Sequence, residues 1–107
     1  MALDQKAIIG QMDTTLNKCE GLTRRSKFDD LSDLPEQETA EAVGLLLAAI
    51  ERFSPPGSSY LRNAKVYEKH LADNVCFAVK PLIGILRALR SDYESGHLQS
   101  IVELGKL

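Results

Sequence analysis

Apolar residues recur at steps of three and four along almost the whole chain, and no stretch alternates with period two. That spacing predicts amphipathic helices and no sheet. From Leu3 onward, Ile8, Met12, Leu16 and Cys19 fall on one face of a first helix expected to close near Gly21. The connection that follows, "LTRRSKFDDLSDLP", is polar but carries Phe28, Leu31 and Leu34. Those three are expected to pack down onto the helices.

Pro35 suits the first position of a second helix, where its missing N–H would have no partner anyway. Glu36 and Glu38 lie in the first turn, favoured by the positive end of the helix dipole. The apolar face runs Val43, Leu46, Leu47, Ile50, Phe53. "SPPG" (54–57) ends it, because two prolines cannot continue the ladder and Gly57 accepts a tight turn. Ser58 or Ser59 can then cap a third helix.

The third stripe starts Tyr60, Ala64, Tyr67, Leu71 and continues through Val75, Val79, Leu82, Leu86, Leu89 and Tyr93. Cys76, Phe77, Ile83 and Ile85 widen its second half. Pro81 must kink or break such a rod, and "ADN" at 72–74 can cap a new start. Two helices are therefore expected, split near Asp73–Asn74 or at Lys80–Pro81 and either collinear or folded back. Gly96 closes the run, and "HLQSIVEL" opens another apolar repeat with Leu98, Ile101, Val102 and Leu104.

These elements predict an all-α fold: one domain over residues 1–107, an antiparallel bundle of four or five helices, with one long Pro-kinked helix from about 58 to 95 as a variant. The repeat stops abruptly at Leu104. "Lys-Leu" is what a common restriction site encodes, so on one reading Gly105, Lys106 and Leu107 derive from cloning and a longer protein continues past Leu104. On the other, a short gene simply ends here.

Composition narrows the class. With 44% hydrophobic and 26% charged residues the chain is in the ordinary globular range, not the disordered one. A net charge of −2 gives no bulk attraction to nucleic acid or anionic membrane. No run approaches the ~18 apolar residues of a membrane span. The start "MALDQKAIIG" lacks the basic and apolar regions of a secretory signal. Two cysteines, Cys19 and Cys76, are too few for a disulfide framework and read as free core thiols. A cytoplasmic protein is expected.

The stretch "AVKPLIGILRALRSDYESGHLQSIVEL" resembles a segment of uncharacterised bacterial proteins in which a helical N-terminal region precedes a HEPN-like or abortive-infection-type C-terminal domain. The resemblance covers Ser54 to Leu104, with "LRALRSDYESG" and "LQSIVEL" as its most characteristic words. It implies a helical accessory region whose functional domain lies beyond this chain, and it transfers no catalytic residue.

Candidate chemistry is sparse. Arg90 and His97, separated by "SDYESG", have the order that HEPN-type ribonucleases use, an arginine to hold the scissile phosphate and a histidine for acid–base work. Gly96 between them is expected to end the helix and take His97 off its face, leaving His97 a capping role. A metal site would have to gather Cys19, Cys76, His70 and His97, but no pair has the i, i+3 or i, i+4 spacing of ligands on one helix. No metal and no cofactor is expected. The basic cluster "TRRSK" (23–27) faces the acidic "DDLSD" and is expected to pair or be solvated, so nucleic acid is not an expected partner. Glu36, Glu38 and Glu41 suit a helix start and a solvated face.

The remaining feature is apolar surplus along the later helices. Leu82, Leu86, Leu89, Tyr93, Leu98 and Ile101 are the candidate interface residues, each with the alternative of lining the internal core. Covering that surplus with a second copy through a two-fold contact is the simplest solution. The sequence thus points to a non-enzymatic helical oligomerisation or protein-interaction module, a homodimer or the neighbour of a missing C-terminal domain. A small HEPN-type ribonuclease and a small-molecule-binding bundle are the alternatives.

Overall fold

In the computed structural model, which describes residues 5–28, 31–68 and 75–95, the first helix, α1, runs Gln5–Arg25. It passes straight through Gly21 and continues for another turn. A mid-helix glycine costs roughly 0.5–1 kcal/mol relative to alanine. Here the extension seats Leu22 against the core and lets Arg25 reach Glu38. Arg24 and Arg25 occupy the last turn, complementing the negative end of the dipole.

Helix α2 spans Glu36–Phe53, with Pro35 one position ahead of it in an extended conformation (φ −56°, ψ 135°). The Pro35 carbonyl accepts the amides of Glu38 and Thr39 at 3.1 and 3.2 Å, so the proline introduces the helix without belonging to it. The expected apolar face is buried in full: Val43, Leu46, Leu47, Ile50 and Phe53, joined by Thr39, Ala42 and Ala49. The Thr39 hydroxyl is satisfied by the Glu36 carbonyl at 3.0 Å.

"SPPG" ends α2 as expected. The Ser54 amide closes on Ile50 O at 2.9 Å, and Gly57 turns the chain with φ +73°. Ser58, not Ser59, caps the next helix, its Oγ accepting the Leu61 amide at 3.5 Å. That helix, α3, covers Ser59–Glu68. A 3-10 turn at Val75–Ala78 then leads directly into α4, Val79–Glu94.

The single kinked rod is corrected. Tyr60 and Ala88 would stand ~40 Å apart along one straight helix at 1.5 Å per residue. Instead both line one groove, because α3 and α4 lie side by side. Pro81 does not split α4 either. It is the third residue of α4, within the first turn, where backbone N–H groups have no helical acceptor. The continuous stripe in the sequence is two stripes on two rods, aimed at the same core.

Helices α2 and α4 form the central pair, and α1 and α3 each pack against both. Polar pairings set the relative directions. Along α1, Gln5, Asp13 and Glu20 meet Tyr93, Arg90 and Arg87 of α4 in descending order, so these two helices run oppositely. Lys18 and Arg25 meet Glu41 and Glu38, so α1 also opposes α2. The two central helices therefore run the same way.

The core is Met12, Leu16 and Cys19 from α1, the α2 face, Ala64 from α3, and Ala78, Val79, Leu82, Ile83, Leu86 and Leu89 from the α4 side. Leu31 joins from the first connection, fully buried at a left-handed φ of +63°. Of the other two connection residues expected to pack, Leu34 is half-buried against the core, but Phe28 remains 59% exposed. Among the described residues, no helix is long and apolar enough to cross a membrane.

Candidate functional site

Three of the six candidate interface residues take the alternative of lining the internal core. Leu82, Leu86 and Leu89 have no exposed surface, because they stand on the side of α4 that packs on α2 and α1. Surface already removed from water inside the chain cannot be buried again against a partner. Tyr93 is half-buried and held at both ends: its hydroxyl donates to Phe53 O at 2.6 Å, and its carbonyl accepts from Gln5 Nε2. Burial pushes its phenol above the ordinary tyrosine range. Leu98 and Ile101 lie outside the described residues, as do Gly105–Leu107.

Arg90 is held in an ion-pair cluster. Its Nε and Nη2 donate to the two carboxylate oxygens of Asp13 on α1, the latter at 3.2 Å, and its Nη1 donates to Glu94. Those hydrogen bonds hold the guanidinium even further toward its charged form than usual. His97 lies outside the described residues. Arg87 makes a similar bridge one turn earlier, 2.6 Å from Glu20. Polar groups thus lace the α1–α4 seam over an apolar floor.

The other clusters resolve as pairs. Arg25 reaches Glu38 at 2.6 Å and Lys18 reaches Glu41 at 3.0 Å, joining α1 to α2. Asp33 accepts from the Ser26 hydroxyl and the Lys27 amide, which holds its carboxyl below the ordinary range. Cys19 is buried and its Sγ lies 3.8 Å from Ala42 O. Burial raises that thiol to about 11, against a smaller lowering by Lys18 and a raising by Glu20. Cys76 is half-buried, and both thiols are free. Among the described residues no three histidine, cysteine or acidic side chains gather into a metal-binding group. His70 lies outside them.

What the sequence did not single out is the outer side of the α3–α4 pair. An open groove of about 460 Å³ runs between them, lined by Tyr60, Asn63, Val66 and Tyr67 of α3 and by Pro81, Gly84, Ile85 and Ala88 of α4. The α4 wall is one row, with residues at steps of three and four, and it is low because Gly84 and Ala88 carry so little side chain. A Cβ placed on Gly84 would meet nothing within 4 Å. Val66 stands 54% exposed on one rim. Phe77, in the 3-10 turn ahead of α4, is 52% exposed. The signal was present in the sequence as Ile85 on the flank of the main stripe. It was obscured because the larger leucines dominate the periodicity.

No model of a protein family, no curated protein and no solved structure matches this chain.

Proposed function

We propose that this chain is a non-enzymatic helical interaction module, an antiparallel four-helix bundle that self-associates through its α3–α4 face. The observation that carries the reading is the open, largely apolar groove between those helices, with Val66 of its lining more than half exposed. Isolated apolar residues on a surface need no explanation, but a contiguous row beside a groove marks an interaction site. Small ligands are usually enclosed by their sites. A trough open along its length suits a polypeptide.

The ribonuclease alternative draws less support, because Arg90 is engaged by Asp13 and Glu94 and a phosphate would have to displace both carboxylates. Two free thiols suit a reducing compartment such as the cytoplasm. The test is mass in solution by light scattering across a wide concentration range, with Ile85→Glu as the variant. A dimer that persists on dilution in the native protein and is lost in the variant, with the helical circular dichroism unchanged, is the expected result. A native monomer at every concentration, or a dimer indifferent to the substitution, overturns the reading.

A further inference from the structure

We draw no further inference here: the strongest candidate, the open groove between α3 and α4 with Val66 exposed on its rim and Gly84 and Ala88 in its low wall, is an unpartnered apolar face, and nothing in the structure shows what covers it.

Discussion

Arg90 on α4 grips Asp13 on α1 with two guanidinium nitrogens against two carboxylate oxygens, while its third nitrogen turns to Glu94 one helical turn away. A planar fork on a carboxylate has a defined geometry and ties the middle of α1 to the end of α4. Both side chains keep a third or so of their surface in water (30% and 42%), so the pair is a modest contributor to stability and a stronger determinant of register. Asp13→Ala and Arg90→Ala should each destabilise by about 1 kcal/mol. A double-mutant cycle in urea should show a coupling of similar size that shrinks in 1 M salt, where screening acts within about 3 Å. A coupling near zero would mean the fork does not persist in solution.

Leu86 provides the clearest separation of core from interface. It is fully buried between the central helices, so Leu86→Ala should cost roughly 2–5 kcal/mol and lower the thermal midpoint of a monomer and a dimer alike. Ile85→Ala, one residue along on the groove side, should weaken association with a much smaller effect on unfolding. Calorimetry and light scattering on the two variants distinguish these outcomes. Equal effects of both on unfolding would place Ile85 in the core as well.

Tyr93 links the ends of two helices, its hydroxyl donating to the Phe53 carbonyl at 2.6 Å in the last turn of α2. Tyr93→Phe leaves that carbonyl short of a donor and should cost about 1 kcal/mol. Its phenol is raised above the ordinary value of 10 by burial, so the folded state favours the neutral form. The associated stability is complete below that ordinary value and is lost as pH climbs through the raised one. Native protein should thus lose stability above pH 10 more steeply than Tyr93→Phe, as followed by denaturant midpoints. Parallel curves would show that the hydroxyl is solvated.

The two thiols should differ in reactivity. Cys19 is fully buried, with its thiol raised to about 11, while Cys76 is half-buried at the entrance to α4. Because the thiolate is the reacting species, iodoacetamide at neutral pH should modify one thiol per native chain, at Cys76, and both only after unfolding. Peptide mapping reads this directly. Early modification of Cys19 would mean that α1 opens locally from α2.

The helical class, the apolar faces of α1 and α2 and the stop at "SPPG" were legible along the chain, because a 3.6-residue period and proline chemistry are local properties. The end of α1 was not. Gly21 is a stop signal by local rules, and only the partners of Leu22 and Arg25 carry the helix past it. Leu31 makes the same point more sharply: a leucine seldom takes a left-handed φ, yet burial of its whole side chain outweighs a local cost of about 1–2 kcal/mol.

Periodicity alone assigned Leu82, Leu86 and Leu89 to an apolar face. Whether that face met the same chain or another depended on where α3 lay, and nothing local in the sequence specifies how two rods fold back. Likewise the order of Arg90 and His97 in the chain said nothing of Asp13, 77 residues away, which takes the arginine. Spacing along a chain determines what each helix presents. The tertiary structure decides which face remains uncovered, because burial is a property of pairs of surfaces and only the packed molecule brings them together.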